Sequence, residues 1–467
     1  MRGRSRRSWP VSAGPRERRR YGQGLRQLVS RRAQGDWKTS PGRRDPVAIL
    51  QESHAERIPE LVPLKVYRMA ASPFGFFRGA APVMAADLAT LPVTRLRTQI
   101  CGDAHVKNLG AYAAPDGHLV FDLNDFDETM VGPWEWDLKR LATSFVLAGR
   151  EAGARARSSK EAVLGLVRSY RQTLQRLASL SVLDLLKVEL RQGFESGVVH
   201  GVLAKAERSS CSDTLKKLTV QQRGGQRVFH DRPPILYHVP KRAARSVLES
   251  LTSYRETLSP DRQLAFDAYR PVDVAFKVVG TGSVGTHDFV VLLLGRGLQD
   301  PLFLQVKEAV PSCYAPYLPD APAYPHQGRR VAEGQHRMQS ATDPLLGWTS
   351  IDGRDFIVRQ LADHKAGLDP AELVDDALIS YALVSGEILG KSHARTGDAP
   401  AVAGYCGRND KLDQAIARFA AAYADQTESD HALLLRAIRT RRIAAASEVR
   451  LRRDWHRLRP AGHGPGS

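Results

Sequence analysis

The stretch DVAFKVVGTGSVGTHDFVVLLLG, with Gly280, Gly282 and Gly285 spelling GxGxxG, limits the fold more than any other segment. A dinucleotide-binding turn of this spelling opens a helix, because the pyrophosphate rests on a helix N-terminus. Here the glycines run into the β-branched and apolar segment DFVVLLL, so the order is strand, glycine loop, strand. With LFLQVKEA following, three β-rich runs form a small sheet, and HQGRRVAEGQHRMQS has helical spacing. The glycine motif alone is weak, since such turns join strands for purely steric reasons. Lys307, one strand later on an apolar run, needs a partner if buried.

Helical patterns flank this β-rich section. Before it lie short helices broken at Pro59, Pro63, Pro73, Pro82 and Pro92, then a strongly helical stretch over 158–210. After it, 370–394 and 411–452 are helical. The expected organisation is a basic, disordered tail over 1–45, a helical lobe over 46–270, a β-rich lobe over 271–362 and a helical segment over 363–467 that rejoins the larger lobe. The fold class is α+β.

Charge is uneven. The net charge is +18, and residues 1–45 alone hold 13 Arg and one Lys against Glu17, Asp36 and Asp45. Such an arm has little to bury and would touch nucleic acid or acidic lipid only through salt-sensitive phosphate contacts. No apolar run is long enough for a membrane span, and the basic start lacks an apolar segment behind it, so a cytoplasmic protein without membrane association is expected. Four scattered cysteines form no CxxC pair, against a zinc site or a disulfide framework.

The segment from Cys101 to Ala142 concentrates carboxylates between apolar runs. Phosphoryl transfer uses an Asp near the acceptor hydroxyl, with an Asn and a second Asp holding magnesium against the phosphates. Asp103, Asn108 and Asp125 supply that set at suitable spacing, with Asp127 as a further metal contact. His105 is a loop-fixing hydrogen bonder or a proton shuttle.

These motifs resemble known enzymes. CGDAHVKNLG is similar to the HGDxHxxN catalytic loop of aminoglycoside phosphotransferases and related small-molecule kinases, and DFDETMVGPWEWDL resembles their DWxxAxxGDPxxDLA segment. The resemblance implies Asp103 as catalytic base, Asn108 and Asp125 as metal ligands and Asp137 as a carboxylate bracing the loop. Cys101 departs from it, standing where those enzymes have His. The glycine loop resembles a kinase's phosphate cover, with Lys307 in the place of the VAIK lysine and Glu333 or Glu308 as its ion-pair partner. The parts run in an order opposite to a kinase's, which a circular permutation of a two-lobed kinase-like fold would reconcile. SYALVSGEILGKSHARTGD resembles the helix that leads into a kinase catalytic loop.

From about residue 45 to 450 the chain also resembles the bacterial family called domain of unknown function 2252. The matching stretches include RMAASPFGFFRG, CGDAHVKNLG, VGTGSVGT and FIVRQL. The expectation is an ATP- and magnesium-dependent phosphotransferase acting on a small molecule or protein, with AMP transfer to a protein as a related option. Rival readings are a nucleotide sensor or nucleic-acid binder using residues 1–45, and a metal hydrolase independent of ATP. Arg68 and Arg78 would bind an anionic substrate or brace the carboxylates.

Overall fold

The computed structural model describes residues 13–188, 197–208, 211–222, 225–361 and 366–458. Its main sheet has six antiparallel strands in the order Gly347–Ile351, Arg354–Gln360, Pro301–Glu308, Asp288–Leu294, Arg270–Lys277, Leu236–His238. The three β-rich runs are its central strands, and RDFIVRQL is a fourth. Asp288–Leu294 is buried on both faces, which its unbroken apolar sequence requires. Val291 and Leu293 pack with Val274, Phe276, Leu304 and the helix Lys241–Glu256. Val290 and Leu292 on the other face pack with Phe303, Phe229 and Leu236.

This two-sided burial moves the expected boundary at 270/271. The sixth strand and the helix Lys241–Glu256 precede that point yet belong to the sheet, with Tyr254 Oη donating to Leu345 O at 2.6 Å. Leu61, Leu64, Leu451 and Trp455 join the same core, so parts of both flanking segments cover the sheet.

The larger body is helical. Its core is built on Trp134–Glu151, Ala156–Leu177, Asp376–Thr396 and Lys411–Arg439, with Trp134, Tyr170, Tyr381 and Tyr405 among its largest buried side chains. The prolines of the N-terminal region open helices at Pro46–Ser53, Val62–Ala70, Pro73–Gly79 and Ala81–Leu88, each with Pro in its first turn where the missing N–H costs nothing. Among the described residues no helix is long and apolar enough to cross a membrane.

The expectation of a disordered arm over 1–45 is corrected for residues 13–45; residues 1–12 lie outside the described residues. Pro15–Gly24 is a helix, and the arginines find acceptors that composition does not reveal. Arg26 and Arg31 bond the last carbonyls of the helix Ala399–Cys406, and Arg43 bridges Asp87 and Asp430.

Candidate functional site

The strand Arg97–Ile100 delivers the chain into the loop that carries Asp103, His105 and Asn108. Asp137, in the first turn of Trp134–Glu151, accepts the N–H groups of Cys101 and Gly102 at 2.8 and 2.9 Å. His393 Nε2 lies 3.3 Å from the same carboxylate and the ring bonds Tyr170 through Nδ1, so a histidine from a distant helix braces the loop that starts at Cys101. Arg140, one turn beyond Asp137 and fully buried, donates from Nε to Asp103 Oδ1 at 2.8 Å. It also bonds Phe77 O at 3.0 Å and stacks on the Phe77 ring. Burial alone would raise the Asp103 carboxyl; the charge and hydrogen bond of Arg140, with His105 and Arg78, together outweigh it and hold the group below its ordinary range.

Asp103 Oδ2 faces the cavity 3.7 Å from His105 Nε2, beyond hydrogen-bond distance. Burial pushes the His105 imidazole down to about 3, so it is neutral at physiological pH. Its Nδ1 is buried without a partner, so the expected loop-fixing hydrogen bond is absent among the described side chains and the ring packs edge-on against Phe74 instead. Asn108 ties two loops together, its Nδ2 donating to Asp103 O and Asp125 O at 2.9 Å each. Its Oδ1 is buried in the cavity wall with no partner.

The sheet supplies the opposite wall. Alternation along Pro301–Glu308 puts Gln305 and Lys307 on one face, where the register sets Asp288 opposite Lys307 and Arg359 opposite Gln305. Lys307 is 3% exposed and bonds Asp127, with Asp125 Oδ1 at 3.9 Å. Burial opposes both charges of this pair. The Asp125 and Asp127 carboxylates nonetheless raise the Lys307 amine, and Lys307 lowers Asp127. Asp125, desolvated and next to Asp127, is raised.

Two expectations change here. Glu333 does not meet Lys307: its oxygens bond Arg329 and Arg337 at 2.7 Å, one helical turn to either side. Glu308 is taken by His287 and Arg354. The partner of Lys307 is Asp127, expected as a metal contact. The helix Gln327–Met338 reaches the acidic loop through Arg330 instead, which is 2% exposed and bonds Asp127 O, Thr129 O and Val310 O.

The glycine loop closes the cavity. Gly280 and Gly285 have φ of +69° and +91°, the left-handed region that favours glycine, whereas Gly282 does not. Three cations from the segment 57–68 hold the loop's carbonyls. Arg57 bonds Val284 O at 2.7 Å, Lys65 bonds Gly282 O at 2.6 Å, and Arg68 bonds Gly280 O as well as Glu448. Because a trans peptide points its carbonyl and its N–H in opposite directions, these bonds turn the following amides away from the cations. The N–H groups that follow these carbonyls, those of Thr281, Ser283 and Gly285, donate to no described group. Arg57 and Lys65 carry no sequence signal; their partners lie 227 and 217 positions away.

Together these parts bound a cavity of about 320 Å³ whose lining includes Lys65, Arg78, Asp103, Asn108, Asp125 and Gly280. A larger, open depression of about 550 Å³ lies elsewhere, beside Arg43 and Asp430, which are already paired. Among the described residues no cluster of three or more His, Cys, Asp or Glu is arranged for a metal. The orphaned Asn108 Oδ1 with the half-exposed Asp125 carboxylate fits a magnesium ion, which takes one or two protein oxygens and keeps water or phosphate for the rest.

Fold and site define an α+β protein in which an antiparallel sheet and a helical body share a cleft lined by carboxylates, an amine and a glycine loop. The sequence profile of the family described as "Uncharacterized protein conserved in bacteria (DUF2252)" matches residues 57–437, and the chain belongs to that family. No curated protein and no solved structure matches it.

Proposed function

We propose that this protein is an ATP- and magnesium-dependent phosphotransferase with a kinase-like arrangement of two lobes in permuted chain order. The observation that carries the reading is the meeting of Lys307 with Asp127 and Asp125 across 180 positions of sequence, beside the cavity that these two carboxylates line together with Asp103, Asn108 and the glycine loop. Phosphoryl transfer relies on positioning and charge neutralisation, which this set of groups can supply. Lys307 would hold the phosphates from the sheet side, and the free amides of the glycine loop would bond their oxygens. Asn108 Oδ1 and Asp125 would hold magnesium, which neutralises charge on the phosphates. Asp103, kept ionised by Arg140, would orient the acceptor hydroxyl and take its proton.

Isothermal titration of the full chain with ATP, with and without magnesium, tests the nucleotide half first. The expected result is binding that magnesium tightens and that Lys307→Met weakens at least tenfold. Asp125→Ala is expected to lower ATP turnover about a thousandfold, equivalent to about 4 kcal/mol of transition-state stabilisation. A wild-type chain that takes up no ATP under either condition overturns the proposal.

A further inference from the structure

We propose that the acceptor is a small hydroxyl-bearing anion, its carboxylate or phosphate group held by Arg78; this rests on the phosphotransferase reading and names its substrate class. Of the two arginines in RMAASPFGFFRG, Arg68 is committed to Gly280 O and Glu448. Arg78 is not. It lines the cavity, its Nε is buried without a partner, and no ion pair to it forms among the described residues. Its guanidinium carbon lies over the Phe74 ring, 6.0 Å from the centroid, and its backbone carbonyl lies against Gly282. The guanidinium thus lies beside Phe74 without being neutralised in place.

The Phe74 ring beside the Arg78 guanidinium also packs edge-on against His105 of the Asp103 loop, which puts Arg78 at the acceptor end of the cleft. Burial lowers the Arg78 guanidinium, and the charges of Asp103 and Asp125 act most strongly against that. Lys307, bonded to Asp127 on the sheet side, responds to Asp125, Asp127, Arg359 and Asp288. Lys107 also lines the cavity, its amine lowered by burial and by Arg78, while Asp369 and Glu151 raise it. Arg78 is therefore the anchor and Lys107 a weaker contributor. A cationic acceptor placing its hydroxyl on Asp103 would bring its ammonium groups against Arg78. An anionic one would give the guanidinium the paired hydrogen bonds it lacks.

Glycerate is a suitable probe, since it joins a carboxylate to two hydroxyls, with 2-aminoethanol as its cationic counterpart. Each is titrated into the full chain alone and with Mg·AMP-PNP, which fills the nucleotide phosphate positions. Glycerate is expected to bind in both conditions and 2-aminoethanol in neither. Arg78→Gln is expected to weaken glycerate at least tenfold with Mg·AMP-PNP affinity unchanged, and Arg78→Lys to restore part of the loss; thermal unfolding checks that both variants fold. Glycerate binding that Arg78→Gln leaves intact, no glycerate binding, preference for 2-aminoethanol, or joint loss of glycerate and Mg·AMP-PNP in the variant each overturn the assignment. Arg78-dependent glycerate binding without any Mg·AMP-PNP binding leaves the anion site standing and removes the nucleotide reading alone.

Discussion

Asp288 shows how one buried carboxyl on the sheet makes stability depend on pH. It is 3% exposed, accepts from Gln305 Nε2 at 2.7 Å and faces Lys307 in the strand register. Burial raises its carboxyl to about 7, and the charge of Lys307 offsets only part of that. In the unfolded chain an aspartate titrates near ~4. Between these values the folded state binds a proton that the unfolded state has lost, so the contribution is fully present below the unfolded value and disappears as pH rises through about 7. Three units of difference correspond to on the order of 4 kcal/mol as an upper bound. Urea unfolding of wild type and Asp288→Asn from pH 5 to 8 is expected to show a difference that changes steadily with pH, the variant's curve being the flatter. Parallel curves would refute the assignment. At this scale the sequence was informative where chemistry dictates residue type. Asp103, Asn108 and Asp125 line one cavity, and Lys307 lies behind it, bonded to the lining residue Asp127. It was silent on Arg140, Lys65 and Arg57, whose roles exist only after segments tens to hundreds of positions apart have packed.

Elements were legible in kind and less so in facing. The helix over Gln327–Met338 follows from its spacing, but spacing does not say which side turns to the sheet. Arg329, Glu333 and Arg337 recur every four residues, a pattern that predicts a self-paired surface stripe and was the available signal against Glu333 reaching Lys307. The helix Asp376–Thr396, which resembles the segment leading into a kinase catalytic loop, packs beside the loop that carries Asp103 and Asn108 and supports it there. Tyr381 Oη donates to Val106 O, His393 approaches Asp137, and Lys391 pairs with Asp122. Both members of the last pair are almost wholly buried, at 2% and 0% side-chain exposure. Removing one charge of such a pair strands the other, at about 3–5 kcal/mol. Lys391→Met is expected to lose that much in chemical denaturation, and Lys391→Met with Asp122→Asn to recover part of it because the stranded charge is gone. Equal losses in the single and double variants would show that packing, not charge, holds this helix.

At the scale of the molecule, the succession of helical and β-rich segments was readable and the N-terminal segment was not. Arginine-rich composition predicts a solvated arm because it counts apolar side chains available for burial, and residues 13–45 have few. The segment docks by a different route, using guanidinium groups on carbonyls and carboxylates presented by the helical body. Arg26 and Arg31 occupy the free carbonyls where Ala399–Cys406 ends, and Gln34 Nε2 bonds Tyr405 Oη. Arg43, 10% exposed, holds Asp87 and Asp430 at 2.7 and 2.6 Å, with Tyr423 Oη also on Asp87. Without Arg43 two buried carboxylates would face each other with no cation between them, and neither could stay ionised cheaply. Arg43→Met is therefore expected to cost about 3–5 kcal/mol in chemical denaturation. Deletion of residues 1–45 should cost more, since the helix Pro15–Gly24 and its cover over Ala399–Cys406 go with it. The comparison also decides what the arm's charge is for. If the truncated chain keeps the stability of the full one and loses affinity for RNA or DNA, the arginines serve a partner; if it unfolds earlier and nucleic-acid affinity was never measurable, they serve the fold.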